Sequence, residues 1–303
     1  MFHGARRRPV GQTPAMTVDD STTDTADLTA ADVAWDIDSI LPPGETPAGL
    51  FDRADEIADS LTGQRGRVAD LDAGELATAM QTMAELHDLM SRASYHAMLA
   101  FSTATDDPAR GAAMAAAQER STAIGTKLIF FDLEWAAADD DHAATVLADP
   151  RLDFCRHHLD TLRLSRPYLL SEAEETIVAE KSQTGFGAWV RLFDELTSAI
   201  TVDLPDDLGG AGMPLMQGLA MMQHPDRSVR QQLATAVTAG LEPGLRTRAY
   251  VFNTLLHDKA IVDRLRGYPS WVSSRNLANE ASDESVQALV DAVVDSYSIA
   301  QRW

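Results

Sequence analysis

The sequence predicts a mainly α-helical fold, a multi-helix array with one small β-hairpin. Three observations support this prediction. Apolar residues recur at helical spacing along most of the chain, most clearly over residues 73–101. Helix-capping signals separate these stretches, for example Asp107 followed by Pro108. The alternation of apolar and polar residues that is typical of a strand occurs clearly in one short stretch, residues 199–204.

The first half of the chain is predicted to be a lobe of helices. Residues 1–30 are rich in Thr, Asp and Pro, so we expect a disordered N-terminal tail, and Met16 is a second plausible start. The domain that follows is expected at 31–160. Its helices are predicted at 50–67, 73–101, 108–138 and between 139 and 150. The second and third of these should pack as an antiparallel hairpin.

The second half, residues 161–303, is predicted to be a helical region that contains the β-hairpin near 199–217. Ser171 and Glu174 form a capping box, which opens a helix that ends near Gly185. A second strand is expected within 213–219, where Pro214 permits only an edge position. The remaining elements are expected at 189–196, from 223–226 through 240, at 243–265, and from 282 to the last residue, 303.

The charge of the chain excludes several kinds of partner. Asp and Glu number 46 against 25 Lys and Arg, for a net charge of −21. Such a surface disfavours nucleic acid and anionic membranes, which bind clustered basic side chains. No apolar run reaches the roughly eighteen residues of a membrane span. Cys155 is the single cysteine, so an intrachain disulfide is impossible, which fits a cytoplasmic protein.

The sequence offers no catalytic or metal-binding motif. A helical H-E-x-x-H zinc site requires His followed directly by Glu, and none of the eight histidines meets this condition. His157 and His158 are adjacent, so on a helix they point about 100° apart and cannot easily share a metal. Cys155 close to them suggests a thiol nucleophile, but a small core cysteine is the better interpretation. We therefore predict no catalytic and no metal-ligating residue.

Two further groups of residues are candidates for binding. Gly185, Phe186 and Gly187 form a helix break that is expected either to line a cleft or to serve ordinary packing between helices. Arginines and amides that can hold a peptide backbone or a carboxylate are densest near the C-terminus, where a solvated polar face is the alternative. The candidates there are Arg266, Tyr268, Arg275 and Asn276.

A succession of segments in the second half resembles a known family. The order is RPYLLSEAEETIVAEKSQTGFGAWVRLFDELTSAI, a Gly-bearing hairpin, HPDRSVRQQLATAV, NTLLHDKAIVDRLRGYPSW and SVQALVDAVV. This order is similar to the oligoendopeptidase F family of thimet-type zinc oligopeptidases. The resemblance covers roughly Trp35 to the end and is sharpest over 166–279.

The resemblance implies a function for the intact protein. In this family the N-terminal half forms one wall and part of the roof of a deep channel. The second half carries H-E-x-x-H and a further Glu, which hold the zinc whose activated water cleaves short peptides. The resemblance thus implies a cytoplasmic zinc metalloendopeptidase whose catalytic domain is missing from this chain. Its partners would be short peptides and the C-terminal catalytic half.

The same resemblance implies that the chain alone is inactive and binds no zinc, because every catalytic residue would lie beyond Trp303. It also makes Arg266, Tyr268, Arg275 and Asn276 candidates for contacts in the substrate channel. Two other hypotheses remain open. The chain is a complete non-catalytic helical module that binds peptides or a partner, or it is an unrelated acidic enzyme that uses Cys155.

Overall fold

The computed structural model describes residues 35–303. Within that range the chain forms thirteen α-helices and a single two-stranded antiparallel sheet. The predicted fold class, a multi-helix array with one small β-hairpin, is therefore confirmed. The predicted tail at 1–30 and the alternative start at Met16 lie outside the described residues.

Most helices begin and end close to their predicted limits. The helices are α1 Pro47–Leu61, α2 Ala73–Ser102, α3 Pro108–Ala137, α4 Asp140–Leu147, α5 Arg156–Leu164, α6 Glu172–Ser182, α7 Phe186–Ser198, α8 Leu215–Ala220, α9 Arg227–Leu241, α10 Leu245–Arg266, α11 Ser273–Ala278, α12 Asp283–Asp295 and α13 Tyr297–Ala300. The strands are β1 Thr201–Val202 and β2 Met213–Pro214.

Side-chain caps explain why several helices begin where they do. Asp72 accepts hydrogen bonds from the N–H groups of Gly74 and Glu75 at the start of α2. Ser171 and Glu174 form both halves of the predicted capping box at the start of α6. These caps satisfy backbone N–H groups that have no partner inside the helix. The beginnings of these helices are thus encoded locally.

A contiguous hydrophobic core lies in the first half of the described chain. Helices α2 and α3 pack as the predicted antiparallel hairpin, since Ser94 contacts Ser121 while Arg110, near the loop, donates to the carbonyl of Ala100. Helix α1 packs against both of them. Every member of the core cluster lies between Leu50 and Leu159. Its largest fully buried side chains include Trp135, Phe130, Phe131, Leu71, Leu76, Leu86 and Leu152.

The second half is an open array of helices. Helices α6, α7 and α12 contain no fully buried residue. The buried apolar residues of this half are Ile200, Val202, Leu204, Leu233, Val237 and Val251. No helix within residues 35–303 is long and apolar enough to cross a membrane. The two halves therefore differ in how their apolar side chains are covered.

The predicted second strand is wrong beyond Pro214. Thr201 pairs with Pro214 and Val202 pairs with Met213, after which the chain turns directly into α8. Helix α8 brings Gly218 so close to Val202 that a Cβ there would lie 2.8 Å from the valine Cγ2. Tertiary packing against the hairpin thus overrides the local strand pattern.

The predicted continuous helix from Ser282 to Trp303 is also wrong. Helix α12 ends at Asp295, and the four-residue α13 follows. At the break, the Ser296 N–H donates to the carbonyls of both Ala292 and Val293, and its hydroxyl donates to Ala292 as well. Such bonds tighten the last turn and compete with continuation of the helix. Helix α11 was not predicted, because six residues are too few for a periodic pattern.

The close approach of α9 to β1 gives a test of the fold. At Gly240 a Cβ would lie 2.6 Å from the carbonyl oxygen of Thr201, whereas at Gly125 on α3 no atom lies within 4 Å. We expect Gly240→Ala to lower the free energy of unfolding by about 1–3 kcal/mol, because the helix must move away from the strand. Gly125→Ala is the matched control and should raise it by about 0.5–1 kcal/mol. Thermal and urea unfolding measure both changes; equal effects of the two substitutions would contradict this packing.

Candidate functional site

Two arginines cap the end of α3, and we call Arg163 and Arg166 the arginine clamp. Arg163 donates to the carbonyls of Trp135 and Ala138, each at 3.0 Å. Arg166 donates to the carbonyl of Ala136 and, at 3.1 Å, to that of Ala138. The last carbonyls of a helix lack the usual partners one turn further on, although the Trp135 carbonyl also accepts from the Ala138 N–H at 3.1 Å, and positive charge is favourable at a helix C-terminus. The clamp therefore stabilises the end of α3 from outside the helix.

The clamp also holds the next two helices. Both arginines bind the Asp140 carboxylate at the start of α4. The hydrogen bond and charge of Arg166, followed by those of Arg163, lower the pKa of Asp140. The Trp135 indole donates to the carbonyl of Leu159 in α5 at 3.0 Å, and the Arg163 guanidinium lies 5.6 Å from the indole ring centroid. The ends of α3, α4 and α5 thus meet at one place.

Two of the predicted channel residues lie at the junction of α6 and α10. Arg266 makes two hydrogen bonds with Glu175, at 2.7 and 2.8 Å, and donates to the Tyr168 carbonyl at 3.2 Å. The ring of Tyr268 stacks on that of Tyr168 with 4.2 Å between centroids. The two charged side chains of the pair are only 18% and 15% exposed. Arg266 and Tyr268 therefore fasten the end of α10 to the segment before α6.

This ion pair shifts the pKa values of its members. The hydrogen bond from Arg266 lowers the pKa of Glu175, and the reciprocal bond raises the pKa of Arg266. Burial raises the pKa of Tyr268. All three groups are held in their usual charge states at neutral pH. The ion pair between Arg266 and Glu175 therefore persists at neutral pH.

The other two predicted channel residues lie on α11. Arg275 is exposed, while Asn276 is buried at 6% exposure and donates from Nδ2 to the Asp283 carboxylate at 2.7 Å. The Ser274 hydroxyl accepts from Lys259 at 3.1 Å and thus ties α11 to α10. The four candidates therefore occupy two neighbouring places rather than one cluster.

Helices α5 and α11 enclose a groove of about 670 Å³, which we call the α5–α11 groove. The His157 Nε2 atom lies 2.8 Å from the Glu280 carboxylate at this groove. Glu280 adopts a left-handed backbone conformation with φ of 53°, which side chains other than glycine rarely adopt. The groove is lined by His157, Asp160, Thr161, Arg163, Leu164, Asn276, Leu277, Glu280, Ala281 and Ser282.

The predicted glycine break borders a second and larger cleft. This Gly-break cleft measures about 770 Å³ and lies between α3, α6 and α7. A Cβ at Gly185 would lie 2.9 Å from the Lys181 carbonyl oxygen, so the tight turn between α6 and α7 requires a glycine there. Arg191 at the cleft is already paired with Glu195 at 2.8 Å. Phe186 and Gly187 of the break therefore line this cleft, while Gly185 serves the tight turn between the two helices.

The residues considered for catalysis do not assemble into a centre. Cys155 is 7% exposed and belongs to the hydrophobic core, where burial raises the pKa of its thiol and disfavours the reactive thiolate. Within residues 35–303, no three side chains of His, Cys, Asp and Glu form a group that would hold a metal ion. What the described residues offer is two open grooves and the contacts that position them.

Sequence reasoning missed the role of the arginine clamp. The Arg-Pro turn at Arg166 was visible as a turn, but the carbonyls that it caps belong to a helix that ends far earlier in the chain. It also did not connect Asp160 or Glu280 with Asn276, because neither carboxylate carries a motif. An acidic residue opposite an amide becomes visible only when α5 and α11 are brought together.

A comparison with known families identifies this region. The family model described as Oligopeptidase F matches residues 134–201, from the end of α3 through the arginine clamp to β1. This stretch is similar to the N-terminal region of the oligoendopeptidase F family. The resemblance predicted from the order of segments is thereby confirmed.

One curated relative and two solved structures show how far the similarity extends. The chain is 25% identical over 169 residues to the Group B oligopeptidase PepB of Streptococcus agalactiae serotype III (strain NEM316), which is 55% of this chain and 28% of that protein. Oligoendopeptidase-F from Enterococcus faecium superposes with a TM-score of 0.66 at 19% identity, over 80% of this chain and 49% of that one. A solved Chlamydophila abortus protein gives 0.54 at 13% identity, over 90% and 47%.

The similarity concerns the fold and part of each relative's length. The two solved structures show that the fold is shared, as predicted. The chain spans 28% of the length of the curated relative and about half the length of the solved chains.

The ion pair at the α6–α10 junction makes stability depend on pH. The pKa of Glu175 is lowered below its ordinary value of 4.5, so its contribution is complete above that value and is lost as the pH falls through the lowered one. We expect Glu175→Gln to cost about 2 kcal/mol at pH 7, and this difference from the wild type should shrink below about pH 4.5. Urea unfolding between pH 3 and 7 measures it.

Glu172→Gln is the control for this prediction. Glu172 lies in the same helical turn and pairs with Arg65, but both side chains are almost half exposed. Its loss should cost less than about 1 kcal/mol. A Glu175→Gln variant as stable as this control would contradict the role given to the junction.

Proposed function

We propose that this chain is the N-terminal, channel-forming region of a cytoplasmic zinc-dependent metallo-oligopeptidase that hydrolyses short peptides. The observation that carries the proposal is the division of the chain into a closed core and an open helical array. The family match spans the boundary between the two. An array that leaves its apolar side chains uncovered is what one wall of a larger enzyme would present.

The described residues do not fit zinc. They contain no group of three metal-binding side chains, and no histidine of the sequence is followed by glutamate. We therefore assign no catalytic step to this chain and propose that the chain alone is inactive. The zinc ligands and the groups that activate water would belong to a catalytic half outside these 303 residues.

Helix α12 supplies the surface on which we propose that the catalytic half packs. Its apolar residues recur every three or four positions, so they form one stripe along the helix. Each of the large members from Leu289 onward is between 47% and 65% exposed. Exposed apolar surface of this kind marks an interaction site. The members of this α12 stripe are Val286, Leu289, Val290, Val293 and Val294.

The predicted channel residues have different parts in this proposal. Arg266 and Tyr268 position the end of α10 through Glu175 and Tyr168. Arg275 and Asn276 lie on the short α11, beside the open groove, where they would contact peptide. Arg266 and Tyr268 would thus position the channel wall, and Arg275 and Asn276 would contact the substrate.

A complete non-catalytic module that binds peptides or a partner is the second candidate function. The presence of two open grooves, of about 670 and 770 Å³, favours it, since both fall within the size range of small-ligand sites. Such a module would use the grooves without any catalytic half. The two candidates differ in whether peptide is cleaved.

Hydrolysis by the intact protein tests the proposal. We expect the product of the complete coding region to cleave fluorogenic short peptides, to lose activity with a zinc chelator and to regain it with added Zn²⁺, because the metal supplies the activated water. The 303-residue chain alone should release no product. A stop codon directly after codon 303, or equal cleavage by the short chain, would refute the assignment.

The α12 stripe predicts a substitution whose effect depends on the catalytic half. In the 303-residue chain Val293 is exposed, so Val293→Asp should change stability by less than about 0.5 kcal/mol. In the intact protein the same change buries an unpaired charge and should cost at least about 3 kcal/mol. Ala288→Asp on the opposite side of α12 is the control and should be mild in both. Thermal unfolding of both forms decides, and equal effects of Val293→Asp in the two forms would exclude docking on this stripe.

A further inference from the structure

We propose that the α5–α11 groove binds a short peptide through a positively charged group, either its N-terminal ammonium or a Lys or Arg side chain. Asn276 accepts a hydrogen bond from a peptide N–H, and Asp160 attracts the cation. This inference rests on the proposed function, since it assigns a peptide subsite to the same oligopeptidase.

Asn276 presents an acceptor that the protein does not use. Its Nδ2 donates to the Asp283 carboxylate at 2.7 Å. A carboxylate only accepts, so this bond fixes the orientation of the amide and turns Oδ1 the other way. Among residues 35–303 this oxygen accepts no hydrogen bond, and the residue lines the groove. The oxygen itself is accessible from the groove, since it is not among the fully buried side-chain atoms that lack a partner. A ligand N–H can therefore replace water at an acceptor that the described residues leave unused.

The amide is also held rigidly. The Asn276 N–H donates to the carbonyl of Val272 at 2.8 Å, and its own carbonyl accepts from Ala281 at 3.0 Å. Asp283 is itself fixed as the first residue of α12. A ligand therefore meets an acceptor that is already in place, which reduces the entropy lost on binding.

Among the side chains that line the groove, the charge without a partner is negative; the exposed Arg275 on α11 lies outside this lining. Asp160 is exposed and has no hydrogen-bond or ion-pair partner among the described residues. Arg163 also lines the groove, but its guanidinium is engaged with the end of α3 and with Asp140, and its side chain is 13% exposed. Glu280 adds a second carboxylate, which His157 contacts. A cation near Asp160 is stabilised, and a peptide carboxylate there is repelled.

The rest of the groove suits a peptide side chain. Leu164 is 57% exposed, and Leu277 and Ala281 lie beside it in the lining. Apolar surface of this kind covers the methylene groups of a lysine or arginine or of the neighbouring residue. The volume of about 670 Å³ lies within the range of small-ligand sites.

The Gly-break cleft is larger but lacks this combination. Its cation, Arg191, is paired with Glu195, and Gln183 donates to Thr122 at 2.6 Å. No polar side chain of its lining is nine-tenths buried. Glu119 in its lining is exposed, which makes this carboxylate a matched control for Asp160.

Fluorescence anisotropy with peptides labelled at the C-terminus tests the inference. The probes are Lys-Ala-Ala-Phe, its N-acetyl form, the form with norleucine in place of lysine, and the form with both changes. The probe with both changes carries neither the N-terminal ammonium nor the lysine. We expect the 303-residue chain to bind it with a dissociation constant about fivefold higher than that of the tightest-binding probe that keeps a positive charge. The two single changes show whether the ammonium or the side chain supplies the cation.

Substitutions locate the binding. Asp160→Asn should abolish the preference for cationic probes, and Glu119→Gln should leave it intact. Asn276→Ala should weaken all four probes by about fivefold, with its fold checked by circular dichroism. An unchanged preference in Asp160→Asn, or a loss in Glu119→Gln instead, overturns the inference. The inference is also overturned if the probes bind neither to this chain nor to the chelator-treated intact protein.

Hydrolysis by the intact protein is measured separately, so that the two proposals fail independently. An intact protein that cleaves the peptides with the same preference in wild type and Asp160→Asn contradicts the inference alone. One that binds cationic probes through Asp160 but cleaves nothing contradicts the proposed oligopeptidase function and leaves the groove assignment standing.

Discussion

The arginine clamp on the last carbonyls of α3 joins the closed core to everything that follows it. Arg163 and Arg166 donate to the carbonyls at the end of α3, and they hold Asp140 in the same place. Because both arginines lie at the end of α5 and just after it, the chain leaves the core in a fixed direction. The position of α6, and through it of α10, depends on this departure.

Beyond the clamp, specific polar contacts replace a continuous core. The ion pair of Arg266 with Glu175 fixes the end of α10, and Ser274 ties α11 to Lys259. These contacts bring α11 opposite α5 and so create the groove. Buried ion pairs add little net stability compared with apolar packing, but they define geometry. This half is therefore arranged by directional contacts and leaves its apolar side chains available.

Local signals were sufficient to predict the elements whose ends they encode. The capping box at Ser171 begins α6 as expected, and the pattern at Asp107 begins α3. Prediction failed where packing decided, as at α8, where Gly218 fits against Val202. The groove could not be predicted for the same reason: Asn276 was a candidate by its type, but Asp160, which lines the same groove, comes from a helix that is distant in sequence.

The position of the core along the chain has a consequence for synthesis on the ribosome. Every core residue precedes Leu162, so the core and its clamp are complete once Arg166 has emerged. Domains fold as units during translation, with the N-terminal part first. The array made afterwards joins a body that is already folded. If the catalytic half docks on the α12 stripe as proposed, this stripe stays open to chaperones and to other chains until that half has been made.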